Sequence, residues 1–305
     1  MKLPIIKNRK YSYFLSGVLF LLAILSLIAW GLKPGLDFTG GSMLDLNFSG
    51  SRPQTVEIQE ALKLLRLGDI VVQPSAETNL ILKFKTVSED EHQQILSGIK
   101  EKFSNENNVI TENRFESIGP VIGKELQKKS WLAIIVASLF IILYIAFAFR
   151  KVSKPVESWK YGVSAIIALL HDVIITTGLF SLLGHFMGVE VDGLFITALL
   201  TIMGFSVHDT IVVFDRTREN LGRFYSGKFD EVVNDSVNQT LIRSINTSLT
   251  TMVVLTCLFL FGGSSIKYFS LALLFGMFIG TYSSIFVASA LIVDWNLLDK
   301  AFKKR

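Results

Sequence analysis

The chain is short of three things. It has one cysteine, Cys257, in 305 residues. A lone cysteine excludes a disulfide framework or a cysteine-built zinc site within the chain, and its expected role is that of a small apolar packing residue. Charge is also scarce: 18% of residues are charged against 50% hydrophobic, too apolar a balance for one soluble domain of this length. The third lack is of chemical motifs. The polar region has no glycine-rich phosphate loop, His/Cys cluster or serine elbow, and the apolar runs have no serine–lysine, GxGD or HExxH pattern. No enzyme, metal site or organic cofactor is expected.

What is present is a set of long apolar runs, at 13–32, 131–149, 161–184, 193–214, 244–262 and 268–292. Each can cross about 30 Å of hydrocarbon at about 1.5 Å per helical residue. The first lacks a small-x-small cleavage site before "WGLKPG" and reads as an uncleaved anchor. The net charge of +4 is small but placed with a bias. Residues 1–12 carry Lys2, Lys7, Arg9 and Lys10 with no acid. The 150–160 loop carries Arg150, Lys151, Lys154 and Lys160, the 215–243 loop Arg216, Arg218, Arg223, Lys228 and Arg243, and the tail ends "KKR". The loop at 185–192 has no Lys or Arg, and the one near 263–267 has only Lys267. The positive-inside rule then assigns both termini, 1–12 and 293–305, to the cytoplasm. Topology accounts for these cations, so nucleic-acid binding is not expected.

Residues 33–130 form a domain on the outer side, between the first span and the five others that lie within 131–292. Their 12 basic and 14 acidic residues nearly cancel. "GSMLDLNF" alternates as a strand does. "RPQTVEIQEALKLLRL", with Val56, Ile58, Leu62 and Leu65, suits a helix. "DIVVQ" and "NLILKFK" read as strands, and "SEDEHQQILSGIKEKF" opens on a Ser88/Glu91 capping box ahead of Ile95, Ile99 and Phe103. "NVITENRFESIG" is a last strand. The order βαββαβ predicts a ferredoxin-like α+β domain, so the fold class is a six-span α-helical membrane protein carrying that domain. Gly40-Gly41 in "LDFTGGSM" is either a turn at a strand start or a hinge. Gly119, Pro120 and Gly123 break the chain before a short helix and form a second candidate hinge.

A charged residue inside an apolar run costs about 2.5–3.5 kcal/mol at mid-membrane, and such residues are usually paired or functional. Asp209 follows "LFITALLTIMGFSVH" and precedes Asp215-Arg216, which mark the end of the span. It reads as a protonatable carboxylate on an ion path, or else as a structural pair. Arg243 opens the fifth span at the depth where the fourth ends and could face Asp209. Ser244, Asn246, Thr247, Thr250 and Thr251 make that helix entry unusually polar. His171-Asp172 in the third span is a relay element or a helix-to-helix hydrogen bond. His208 points about 100° away from Asp209 and reads as a packing residue. Gly276, Gly280, Ser284 and Ala288 repeat every four residues, a small-residue stripe that lets a helix of this chain or a partner approach closely.

With these residues laid out, the chain resembles the SecF family, the smaller partner of SecD in the bacterial Sec export machinery. The resemblance rests on "GLDFTGGS", "FESIGPVIGKEL", "ALLHDV", "GFSVHDTIVVFDRTREN" and "NQTLIRSINTSLTT" and covers nearly the whole chain. It implies half of a resistance-nodulation-division transporter, completed to twelve helices by SecD. It further implies work on unfolded preproteins emerging from the SecYEG channel, with YajC as a further candidate partner, driven by the proton-motive force across the bacterial inner membrane. Asp209 matches the family's essential carboxylate and Arg243 its essential arginine. The family most often has Asn-Asp where this chain has His208-Asp209, and a tyrosine at Phe205. The rival expectations are a half-size proton-driven exporter of lipid or small molecules, and a non-transporting assembly factor in which Asp209 and Arg243 are a structural pair.

Overall fold

The computed structural model describes residues 2–63, 70–75, 77–106, 108–149, 156–223 and 228–303. The expected Leu65 of the first domain helix, the loop cations Arg150, Lys151 and Lys154, and the last two residues of the tail lie outside them. The chain divides into two compact units, Pro34–Trp131 and Met1–Lys33 with Leu132–Arg305.

In Pro34–Trp131, a one-turn helix α2 (Leu36–Thr39) leads into β1 (Gly41–Phe48), α3 (Thr55–Leu62), β2 (Val71–Ser75), β3 (Asn79–Phe84), α4 (Glu89–Phe103) and β4 (Ile110–Ile118). The sheet order is β2-β3-β1-β4, with every neighbouring pair antiparallel. This is the βαββαβ arrangement expected of a ferredoxin-like domain. Alternation along β1 sends Leu44, Leu46 and Phe48 into the core, where Ile58 and Leu62 of α3 and Ile95 and Ile99 of α4 meet them. The Ser88/Glu91 capping box is formed at the start of α4. Hydrogen bonds from Ser88 hold the Glu91 carboxyl below its ordinary range. Val56, expected on the apolar set of α3, is exposed; the helix buries only the face carrying Ile58 and Leu62.

Asp45 lies on the opposite side of β1, with its Oδ1 buried and unpartnered. Burial pushes its carboxyl above the ordinary carboxylate range, against a hydrogen bond from Asn113 and the charge of Arg114. A raised carboxylate holds its proton more tightly in the folded state, so stability falls as pH rises from the unfolded value through the folded one. Asp45→Asn is therefore expected to raise the unfolding temperature near pH 7 and to change it little well below pH 3.9, the ordinary aspartate value. Thermal melts of the detergent-solubilised protein at both pH values check this.

The other unit is a helix bundle. It contains α1 (Arg9–Trp30), the later part of α5 (Pro120–Ala148), α6 (Ser158–Met187), α7 (Gly193–Arg223), α8 (Phe229–Phe261) and α9 (Ser264–Ser283). A π-helical turn (Ser284–Ala288) then leads into α10 (Ser289–Lys303). Among the described residues, six helical stretches are long and apolar enough to cross a membrane, the last running through α9 and α10. Two expectations are corrected here. Gly119, Pro120 and Gly123 do not break the chain before a short helix. Pro120 opens α5, as proline favours the first helical position, and the helix runs unbroken through Gly123 to Ala148. The expected 215–243 loop is largely helix, because α7 and α8 continue past their apolar runs. Those polar turns are stitched by Asn220 Nδ2, which donates to Ser236 Oγ at 2.8 Å and to Gln239 Oε1 at 3.0 Å. Asn234 and Asn238 of the same stretch clamp the N-terminal backbone, with Leu3 N donating to Asn238 Oδ1 at 2.8 Å and Ile6 N to Asn234 Oδ1 at 3.1 Å.

Close packing sets the helix contacts. A Cβ added at Gly178 of α6 would lie 2.4 Å from Ala23 Cβ of α1, and Ser26 Oγ donates to the Gly178 carbonyl at 3.0 Å across the same contact. Gly178→Val is expected to cost about 1–3 kcal/mol by overpacking, read as a lower unfolding temperature in detergent. Two large apolar clusters and a smaller one of Ala23, Ile175 and Ile279 fill the bundle core among the described residues. Of the large two, one holds Leu169, Met203, Val207 and Ile285, the other Phe180, Leu199, Ile202 and Met277. Cys257, expected to pack inside, is exposed on α8.

Candidate functional site

Several polar side chains are buried inside the helix bundle, among them Asp172, Ser206, Asp209, Ser244 and Ser283. Asp209 of α7 is 3% exposed. Its hydroxyl neighbours are Thr281 of α9 and Ser244 of α8. Neither closes on Oδ2: Asp209 Oδ2 and Ser244 Oγ are both buried without a hydrogen-bond partner. Thr281 Oγ1 is engaged by Ser248 Oγ at 2.6 Å. Asp209 thus sits enclosed beside hydroxyls, with His208 the one charged side chain that acts on it and no Lys or Arg paired to it among the described residues, an arrangement suited to a carboxyl that takes and releases a proton.

Arg243 does not fill that gap within this chain. It is exposed on α8, while the next residue, Ser244, is the one turned inward. A step of one residue is about 100° around the helix, so the two cannot share a face. Asn246, Thr247 and Thr250 are exposed beside Arg243, and they form a polar stripe at positions three, four and seven residues on. His208, expected to pack, is also exposed.

Asp172 is 0% exposed. Ser206 Oγ of α7 donates to its Oδ2 at 2.6 Å, and Ser283 Oγ of α9 donates to the same oxygen at 2.7 Å. His171 Nδ1 lies 2.9 Å from Oδ1, and the imidazole stacks on Phe20 of α1. His171-Asp172 therefore does make a helix-to-helix contact, tying α6 to α7 and α9. Ser206 and Ser283, which sequence reasoning missed, are the donors; their one visible signal is a hydroxyl three residues before Asp209 and another two after Thr281.

The small-residue stripe serves this chain's own packing. A Cβ at Gly276 would collide with the Ile202 side chain, and one at Gly280 would come within 3.2 Å of Ser206 Cβ and 3.6 Å of Asp172 Oδ2. Ser284 and Ala288 continue it, buried in the π-helical turn. The two hinge candidates prove to be one contact. Gly40 has φ +74° and Gly41 φ +133°, a region that favours glycine. A Cβ at Gly40 would lie 2.8 Å from Pro120 Cα, and one at Gly123 would lie 3.0 Å from Gly40 N. The glycine pair is a packed turn seated on the first turn of α5. Among the described residues no cluster of His, Cys, Asp or Glu is placed to hold a metal ion.

Fold and site define a class: a six-span membrane protein with a ferredoxin-like domain after its first span and two carboxylates enclosed in its bundle. The family described as protein export membrane protein SecD/SecF, C-terminal, matches residues 98–297, and the SecD/SecF GG motif matches 26–51. The SecF translocase subunit of Thermobaculum terrenum is 42% identical over 97% of this chain and 95% of its own length. That of Synechocystis is 40% identical over 97% and 95%. The crystal structure of the translocon-associated SecDF from Thermus thermophilus aligns over the whole chain with a TM-score of 0.81 and 32% identity. A SecDF structure in a super-membrane-facing form gives 0.70 and 33%, again over the whole chain. The chain spans only 39% and 40% of those two SecDF chains. It belongs to the SecD/SecF family and is a multi-pass membrane protein with a role in protein translocation.

Proposed function

We propose that this chain works with SecD, as one half of a twelve-helix unit, to drive late steps of preprotein translocation through SecYEG across the inner membrane. Protons are the coupling ion, and neither metal nor organic cofactor takes part. Both termini lie in the cytoplasm, and the 33–130 domain lies on the outer side, where unfolded preprotein emerges. YajC is a further partner of the assembly.

One observation carries the reading: a carboxylate enclosed without a Lys or Arg partner among the described residues, beside a helix whose polar stripe is left uncovered. Arg243, Asn246, Thr247 and Thr250 are exposed in this chain alone. An arginine facing hydrocarbon is costly, so the stripe calls for a protein neighbour. SecD is the neighbour that the SecDF likeness supplies. Its arrival would bring Arg243 into a protein interior, on the face of α8 next to the one that Ser244 turns towards Asp209. Protonation of Asp209 then alters that site, shifts the spans and moves the outer domain through the packed joint of Gly40, Gly41, Gly119 and Pro120.

The direct test is complementation. Cells depleted of native SecF are supplied with this chain and its cognate SecD, and export of a secreted preprotein is followed by pulse-chase. Restored export is expected. If the pair assembles but export is not restored, the reading is wrong, and an exporter of lipid or small molecules takes its place.

A further inference from the structure

Asp172 has no part in the function as stated so far, yet it is the more deeply enclosed of the two carboxylates. We propose that the His171–Asp172 pair is a second proton-holding site, braced against α7 and α9, the same two helices that carry Asp209 and its neighbour Thr281. The inference rests on the proton-driven reading above and extends it to a residue pair that reading leaves unused.

The geometry supports it in three ways. First, the pair is enclosed on every side. Asp172 is 0% exposed and His171 6%, and His171 Nε2 is buried with no partner. The neighbours that face Asp172 from other helices are neutral: Ser206 on α7 and Ser283 on α9. Phe20 on α1 covers the imidazole. A net charge in such a place is expensive unless it is compensated. The electrically neutral states of the pair are a protonated carboxyl beside a neutral imidazole, or a carboxylate beside an imidazolium. Either holds one proton, across the 2.9 Å bond between Oδ1 and Nδ1.

Second, the pair shares its two supporting helices with Asp209. Ser206 precedes Asp209 by three residues, so both lie on one face of α7. Ser283 follows Thr281, the hydroxyl neighbour of Asp209, by two residues. The charge state of either carboxyl is therefore felt through α7 and α9 by the other. Third, the π-helical turn Ser284–Ala288 starts directly after Ser283. Single π turns occur at functional sites, where they leave the helix able to shift.

The exchange balances. The loaded pair carries one proton across Oδ1 and Nδ1; when the spans shift and open the pair, that proton leaves to water as hydronium, and a later one is taken back from water. Ser206 and Ser283 stay neutral hydroxyl donors throughout.

Asp172→Asn separates holding a proton from bracing helices. The amide oxygen can accept from both serines and the amide nitrogen can donate to His171 Nδ1, so every hydrogen bond of the brace survives. The experiment uses inverted membrane vesicles carrying this chain assembled with SecD, and follows forward movement of an arrested preprotein when a proton-motive force is imposed across a range of pH. Asp172→Asn is expected to slow that movement by about tenfold or more with assembly unchanged, and His171→Gln to shift its pH profile. If Asp172→Asn assembles and moves preprotein at the wild-type rate, the pair is only a brace and the inference is overturned. Should Asp172→Asn fail to assemble, His171→Gln decides alone: a wild-type pH profile overturns the inference. Asp209→Asn in the same vesicles keeps the two levels apart. If it slows movement while the pair variants do not, the second site fails and the proton reading stands. If Asp209→Asn also moves at the wild-type rate, the proton reading itself falls and takes this site with it.

Discussion

Asp209→Asn is expected to reduce preprotein export to the rate of cells lacking native SecF, while assembly with SecD is unchanged. Asparagine keeps the size and shape of the side chain and removes its capacity to hold a proton. Asp209 Oδ2 has no hydrogen-bond partner among the described residues, and the amide oxygen of asparagine can still accept from the neighbouring Thr281 and Ser244 hydroxyls, so the substitution should leave the bundle intact. The scale of the loss follows from the driving force. One proton crossing about 100 mV yields about 2.3 kcal/mol, enough to bias a two-state motion about fiftyfold. Removing the proton removes that bias. Pulse-chase export, with the SecD complex measured in parallel, reads both quantities. Loss of the complex in Asp209→Asn would make the aspartate structural instead.

Arg243→Gln is expected to have an effect of similar size on export with almost none on the chain's own stability. Arg243 is exposed on α8, so within the chain its side chain contributes little to packing. Its charge matters only once a partner encloses it. Arg243→Lys should restore export in part, since a lysine keeps the charge but lacks the planar fork of donors. The unfolding temperature of the purified chain and the export rate of the complex give the two readouts. A large fall in the first with little change in the second would place Arg243 in the chain's own packing and contradict the account.

The parts of this molecule that were legible in the sequence are those written in long or regular patterns. Six apolar runs announce six spans, and alternation in β1 with the capping box of α4 announces the small domain. What stayed hidden was set by packing between distant segments. The polar ends of α7 and α8 looked like a loop, because Asn220, Ser236 and Gln239 stabilise them by hydrogen bonds across the hairpin rather than by an apolar face. The Gly40 turn and the start of α5 looked like two hinges, and only the fold brings Gly40 against Pro120 and Gly123. At the site, Asp209 stood out because a carboxylate in an apolar run is conspicuous. Ser206 and Ser283 did not, since serines are common in spans and nothing local shows that both aim at Asp172. The rotation of Arg243 away from Asp209 was hidden for the opposite reason: both charges were visible, but the face each takes depends on the packing of α8 against α7 and α9.

The measurement that bears most directly on the central claim uses a preprotein arrested partway through the channel in inverted vesicles, after ATP has been removed. A proton-motive force is then imposed, with this chain and SecD present as wild type or as Asp209→Asn. The account predicts forward movement with the wild type and none above background with the variant. Equal movement in both, or no response of the wild type to the imposed force, would contradict it.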